Sequence, residues 1–348
     1  MSNPKLGIIG GGQLGSLLTE AAKYLNVETV ILTDDINAPA KNFTENFICG
    51  NYEDENLINE FISKVDLVTF EFENIPYKIL KNINTYKPVL PNPEINKLIQ
   101  NRYSEKDFLN QIDIRTTKYK LIKNKDEIKL NENLIPGILK TCTLGYDGKG
   151  QFKIENKEQI EKLKVDFSKD YIFEKFIDLD KEISVILTRF GENKYEVYEP
   201  FENKHEDQIL KVSKIPAEIN NEIYNKSKEW CIKISETLNY IGTICVEFFI
   251  DKHNNLYVNE IAPRVHNSGH MTINTHNISQ FENHVRAVCG LDNIKKKKLF
   301  NGQMINLIGN DIIEYRNKKI KSNEFFFDYL KNEIKPKRKM GHFTKIIK

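Results

Sequence analysis

Asn259-Glu-Ile-Ala-Pro-Arg-Val-His-Asn-Ser-Gly-His270, read with Val246-Glu247-Phe248-Phe249 upstream of it, decides how this chain folds. The two stretches gather two carboxylates, two histidines, an arginine and an asparagine around short apolar runs. Such a density of ionisable groups is costly unless a cation or an anionic ligand organises it. Residues 245–250 and 256–261 are apolar and the segment between them is turn-rich, the pattern of a hairpin. With 252–255 as the loop, Asp251 opposes Leu256 and Glu247 opposes Glu260. Carboxylates so paired lie about 4.5–5.5 Å apart and repel. A divalent cation relieves the repulsion, and Mg²⁺ held by one or two carboxylates and substrate phosphates fits, with Mn²⁺ as its substitute. The alternative is a pair of solvated charges on an exposed face. His266 and His270 are four apart but lack the helical HExxH context of a zinc site, so a ring bonded to substrate is expected instead.

The chain has 348 residues, 40% of them hydrophobic, enough for two or three domains with a large core. Lys and Arg (51) nearly balance Asp and Glu (49), so the net charge of +2 argues for neither nucleic acid nor membrane as partner. The run Lys295-Lys-Lys-Lys298 reads as a solvated loop. Cys49, Cys142, Cys231, Cys245 and Cys289 are scattered and odd in number, against a disulfide framework or zinc ribbon. With no signal peptide and no apolar stretch of membrane length, a cytoplasmic protein is expected.

A short strand over 5–9 leads into Gly10-Gly-Gly-Gln-Leu-Gly15, a helix over 16–25 and a strand over 29–32. This βαβ start with GxGxxG, and with Asp34 and Asp35 nearby, suggests a bound dinucleotide such as NAD. The turn alone guarantees only backbone N–H groups and a positive helix end, whatever the anion. A strand over 66–70 ends in Glu71-Phe-Glu-Asn74, at the edge where α/β sheets bind ligands. A helix over 101–111 and a strand over 136–140 follow. Lys140 then stands before Leu144-Gly-Tyr-Asp-Gly-Lys-Gly-Gln151, a glycine loop able to close over phosphate. Strands are expected over 171–177 and 183–189, where Glu174 to Ile177 and Glu182 offer adenine and ribose contacts. The apolar stripe Ile219, Ile223, Trp230, Ile234 and Leu238 predicts a helix over 217–240, and 279–288 another. Residues 335–339 read as a basic tail.

Glu260-Ile-Ala-Pro-Arg264 resembles the metal strand Glu-x-Asn-x-Arg of the ATP-grasp ligases, with Ala262 where many have Asn. The resemblance extends in order along nearly the whole chain to the purine-biosynthetic, bicarbonate-using branch of that family. It is carried by the glycine turn, Phe70-Glu-Phe-Glu-Asn74, Gly145-Tyr-Asp-Gly-Lys-Gly-Gln151, 259–270, Ser279-Gln-Phe281 with His284 and Arg286, Met304-Ile-Asn-Leu-Ile-Gly309 and Arg338-Lys-Met-Gly-His342. It implies an α/β protein of ATP-grasp fold: a Rossmann-like pre-ATP-grasp domain (1–99), a small lid domain (100–178) and a C-terminal α+β domain with the Mg-ATP site and basic tail (179–348). It also implies carboxylation of 5-aminoimidazole ribonucleotide with ATP and bicarbonate, in a homodimer.

By the same resemblance ATP meets Arg102, Lys140, Gly145, Gly148, Gln151, Glu174, Lys175, Ile177, Glu182, His205, Asn259 and Glu260. Tyr146, Asp147, Lys149, Arg264 and His266 are catalytic. Gln13, Glu73, Asn267, Ser268, Arg338 and Lys339 bind the ribonucleotide, and Glu247 with Glu260 binds Mg²⁺. The chain departs from the family at Ser16 (Arg), Met271 (Trp) and Leu144 (Gly); a side chain at Leu144 stiffens the loop if that position needs φ > 0. Rival readings are another ATP-grasp ligase, such as a formate-using glycinamide ribonucleotide transformylase or a biotin carboxylase-like enzyme, and a non-catalytic NAD-binding module.

Overall fold

In the computed structural model, which describes residues 3–145 and 150–347, three sheets surround one cleft. The first is parallel, in the order β3-β2-β1-β4, from β1 (Leu6–Ile9), β2 (Thr29–Thr33), β3 (Phe47–Cys49) and β4 (Leu67–Phe70). Its strands are short and apolar because both faces are covered: Leu6 and Ile8 pack on Leu14 and Leu17 of the helix Gln13–Tyr24, Ile9 and Phe70 on the opposite layer. β1 and β4 are parallel neighbours, so the glycine turn after Ile9 and the acidic run after Phe70 emerge side by side.

The lid sheet is antiparallel, order β5-β8-β6-β7, from β5 (Tyr119–Ile122), β6 (Gly137–Thr141), β7 (Gln151–Ile154) and β8 (Tyr171–Lys175). The central sheet comprises β9 (Leu179–Gly191), β10 (Lys194–Val197), β11 (Phe201–Glu206), β12 (Ile209–Ile215), β13 (Gly242–Asp251), β14 (Leu256–Ala262), β15 (Asn301–Ile308), β16 (Glu324–Asp328) and β17 (Lys339–Ile347). Its order is β14-β13-β9-β11-β12-β15-β17-β16, with β10 beside β9. The helix Asn221–Thr237 lays Trp230, Cys231 and Ile234 on its back against Val185 and Val246. This helix begins four residues later than its apolar stripe predicts, because the Asn220 side chain caps it by accepting from the Ile223 N–H at 2.8 Å.

Two expectations fail here. The basic tail is no tail: Lys339 opens β17, which is hydrogen-bonded to β15 on one side and β16 on the other. Nor is 295–298 merely solvated. The Lys296 ammonium meets Glu199 at 2.9 Å and its N–H meets Glu196 at 3.1 Å, stapling the run to β10 and the turn after it.

The hairpin of β13 and β14 forms with Glu247 opposite Glu260, by a different route from the expected one. Ile250, not Asp251, opposes Leu256, and a bulge at Asn259 restores the register because Phe248 pairs with Val258 while Glu247 pairs with Glu260. Leu256 and Val258 face the core, and strict alternation would send Glu260 after them. The extra residue gives the core Ile261 instead and turns Glu260 onto the face of Glu247.

Candidate active site

The cleft, about 590 Å³, takes residues from the lid and central sheets and from the segment that follows β4. At its lid end the Lys140 ammonium lies 3.0 Å from Glu174 Oε2 on the adjacent strand, with Lys106 at 3.7 Å from the same oxygen. Burial alone would raise the Glu174 carboxyl; Lys106 and Lys140 overcome it and hold it at about 2. Glu174 Oε2 also accepts from the Thr117 hydroxyl, and the residue lines the cleft. Lys175, Ile177 and Gln151 line the same end, as do Glu182 and His205, which pair at 2.5 Å. Glu182 lines the cleft from β9 and pairs in register with Asn203 of β11.

Lys140→Ala should raise the KM for ATP or lower turnover with it by at least about tenfold, while the KM of the second substrate stays within about twofold. Steady-state kinetics with each substrate varied in turn checks this.

In the middle of the cleft stand the two opposed glutamates, each with its own cation. Glu247 Oε1 is 2.9 Å from His266 Nε2, and Glu260 Oε2 is 3.0 Å from Arg102 Nη1. Burial works to raise Glu247, but His266 outweighs it and the carboxyl rests at about 2. Arg102 also donates to the Gly145 carbonyl at 2.9 Å, so it ties Glu260 to the glycine loop. No group of three or more His, Cys, Asp and Glu side chains forms a metal cage among the described residues. The donor set suits Mg²⁺ all the same, since that ion takes one or two carboxylates and fills its octahedron with phosphate oxygens and water. Ala262 lines the cleft without a side-chain oxygen to add.

At the far end Arg264 forms an ion pair with Glu73, and Asn267 and Lys339 complete the wall. The glycine turn is not open to a ligand phosphate. Glu71 fills it, accepting from the Gly12 N–H at 2.9 Å and the Gly15 N–H at 3.3 Å. Gly10 has φ +103° and a Cβ there would stand 2.6 Å from Glu71 Cγ, so the glycine serves this internal carboxylate. The dinucleotide reading fails at this point.

Of the residues expected at the site, those from Glu73 through Lys339 named above, with Asn259, line one cleft. Tyr146, Asp147, Gly148 and Lys149 lie outside the described residues. Three of the expected residues stand apart from the cleft wall. Ser268 is fully buried, bonded to Ser184 at 2.8 Å and His266 Nδ1 at 2.9 Å, so it orients the histidine from behind. Gln13 opens the first helix without reaching the cleft wall, and Arg338 turns to the Glu333 carbonyl at 3.2 Å.

Residues unmarked in the sequence also matter. Lys106 donates to the Asn259 carbonyl at 3.2 Å and so pins the bulge. Glu105 accepts from the Ile261 N–H at 2.5 Å, and burial, then the charge of Glu260, push it to about 8. Lys331 sits where burial, then Arg338, pull its ammonium down to about 8.

Two departures from the family pattern are interior, Ser16 bonding the Gly12 carbonyl and Met271 packing in the core. Leu144 is different: it lines the cleft, is 74% exposed, and has φ +59°. A left-handed side-chain-bearing residue is strained by about 1 kcal/mol. Leu144→Gly is expected to raise kcat by up to about fivefold where loop closure limits turnover, the rate equivalent of that strain. Stopped-flow comparison of nucleotide binding and turnover in the two proteins measures it.

The ATP-grasp domain family matches residues 107–281, the ribonucleotide synthetase preATP-grasp domain family 3–100, and the phosphoribosylaminoimidazole carboxylase C-terminal domain family 303–348. By sequence the chain is 35% identical to N5-carboxyaminoimidazole ribonucleotide synthase of Bacillus subtilis over 344 residues, 97% of this chain and 90% of that one. It superposes with TM-score 0.92 on the N5-carboxyaminoimidazole synthetase of Staphylococcus aureus solved with ADP, 34% identical, covering 99% of this chain and 93% of the other. A second similar structure, the Aspergillus clavatus synthase in complex with ADP and 5-aminoimidazole ribonucleotide, gives TM-score 0.91 at 27% identity over 99% and 94%. The chain belongs to the ATP-grasp family and, within it, to the N5-carboxyaminoimidazole ribonucleotide synthases.

Proposed function

We propose that this chain carboxylates the exocyclic amine of 5-aminoimidazole ribonucleotide, consuming ATP and bicarbonate and releasing ADP and phosphate, in the synthesis of purine nucleotides. The observation that carries the reading is one cleft with lysine-lined, carboxylate and cationic stretches in sequence, the order in which a nucleotide, its phosphates and a second phosphorylated substrate would lie.

In this reading residues 1–99 carry the ribonucleotide, 100–178 cover the nucleotide and 179–348 hold the phosphates. Bicarbonate is a poor electrophile. Its oxygen attacks the γ-phosphorus, the bond to ADP breaks, and carboxyphosphate forms; the amine then attacks carbon, directly or after release as CO₂, and phosphate leaves. Lys140 and Arg102 supply fixed positive charge towards the phosphates and Glu247 with Glu260 would hold Mg²⁺, which when bound neutralises charge on the transferring phosphoryl group. His266, fixed by Glu247 and Ser268, faces the reacting end. The lid would exclude water from carboxyphosphate. A cytoplasmic homodimer is part of the proposal; sedimentation velocity tests the dimer.

The crowding of Lys331, Arg338 and Lys339 suits the 5′-phosphate, since like charges so close favour an anion among them. Lys339→Ala should raise the KM for the ribonucleotide at least about tenfold and leave that for ATP within about twofold; Arg338→Ala, off the cleft wall, should do less. Equal changes in both constants would place these side chains outside substrate binding. The reading as a whole is tested by ADP release. It should require both 5-aminoimidazole ribonucleotide and bicarbonate, and formate with glycinamide ribonucleotide should not replace them.

A further inference from the structure

Behind the cleft wall runs a chain of buried hydrogen bonds that the chemistry above does not use. It starts at Asn306 on β15, whose Nδ2 donates to the Leu210 carbonyl at 2.8 Å. A carbonyl only accepts, so this bond settles which end of the Asn306 amide is nitrogen. Asn306 Oδ1 then accepts from Asn267 Nδ2 at 3.0 Å, and Asn306 Nδ2 donates to Asn267 Oδ1 at 2.6 Å. The reciprocal pair orients Asn267, which turns its N–H on His270 Nδ1 at 3.1 Å. That ring nitrogen is therefore an acceptor, and the proton of the neutral ring is on Nε2. The Tyr329 hydroxyl lies 2.9 Å from His270 Nδ1 and 2.9 Å from His342 Nδ1. With its one proton it is a second donor to the single lone pair of His270 Nδ1, shared with the Asn267 N–H, and it accepts from His342, so His342 carries its proton on Nδ1.

Burial keeps both rings neutral, His270 well below the usual histidine range and His342 at about 3. One backbone carbonyl thus dictates the direction of every bond in the chain. The arrangement has a cost: His270 Nε2 and His342 Nε2 are buried without a hydrogen-bond partner among the described residues. Apolar side chains in the same layer would carry no such cost, which argues that the chain is kept for what it positions.

Its two ends identify that. Asn267 is in the cleft wall beside His266. Tyr329 begins the connection from β16 to β17 that bears Lys331 and ends at Lys339, and its N–H is held by the Met340 carbonyl at 3.0 Å. We infer that Tyr329 is a positioning residue: its hydroxyl, shared by His270 and His342, holds the His266–Asn267 corner in register with the cationic segment, and so sets the seat of the phosphorylated substrate and not that of the nucleotide. The inference rests on the function proposed above for the identity of that substrate.

Tyr329→Phe removes only the hydroxyl. It is expected to raise the KM for 5-aminoimidazole ribonucleotide about tenfold and lower kcat severalfold, with the KM for ATP within about twofold. His342→Leu should repeat the effect, and His342→Asn, which keeps an N–H near the position of Nδ1, should restore most of it. Nitrogen-15 NMR of the wild-type imidazoles should show neutral His270 protonated on Nε2 and neutral His342 on Nδ1, with His342 losing its single tautomer in Tyr329→Phe. The reverse tautomers, an unchanged ribonucleotide KM, or equal rises in both KM values would overturn the inference. If instead wild-type ADP release proved independent of the ribonucleotide, the proposed function would fall while the tautomer measurement still decided the direction of the chain.

Discussion

Glu260→Gln is expected to cost at least about a hundredfold in turnover while leaving the protein folded. The side chain is 39% exposed, so its stability contribution is small, but its charge is half of what would hold Mg²⁺ and is the partner of Arg102. Glu247→Gln should be as damaging to turnover and should also lower the Tm, because Glu247 is 13% exposed and bound to His266. The pH course of the Glu247 variant is set by its carboxyl. The carboxyl of Glu247 is depressed from about 4.5 to about 2, so its stabilisation is fully present above the unfolded value and is lost as pH falls through that interval. The Tm gap between wild type and Glu247→Gln should therefore close between about pH 4.5 and pH 2. ADP assays and calorimetry across pH check both. Near-normal turnover of Glu260→Gln at ordinary Mg²⁺ would remove the metal assignment.

Deleting everything after Ile334 should abolish soluble folded protein, not merely weaken one substrate. From its composition the segment resembles a solvent-borne arm whose loss would raise a single KM. In the fold it supplies β17, an interior strand bonded to β15 over Asn301–Ile308 and to β16 over Glu324–Asp328. Its removal strips two ladders of hydrogen bonds and exposes Leu307, Ile312 and the side chains that Met340 and Phe343 cover. Expression of the truncated chain followed by circular dichroism tests this. A folded product with only an altered ribonucleotide KM would show that β17 is dispensable.

Local pattern told most where one residue's neighbours in sequence are also its neighbours in space. The βαβ start, Lys140 at a strand end and the opposed glutamates follow from alternation and glycine placement. Alternation could not show the bulge at Asn259, and the expected register reached the right pair only because an offset at the turn was compensated by that extra residue. β17 was illegible for another reason: its alternation, with Met340, His342 and Thr344 on one face, is masked by the basic run before it, and its partners are distant in sequence. Glu105, Lys106 and Lys331 carry no pattern at all. Their roles come from burial beside charges contributed by other sheets, which only the assembled fold brings together.

Glu71 in the glycine turn has a consequence for selectivity among the anions of a cell. Free phosphate, sulfate and the pyrophosphate of dinucleotides are abundant, and an empty helix end would be a standing trap for them. Here a carboxyl side chain of the chain itself already occupies the Gly12 and Gly15 N–H groups, so a solute anion must displace a tethered competitor to bind there. Discrimination is achieved by prior tenancy, and phosphate is left to be recognised only where lysine and arginine side chains gather.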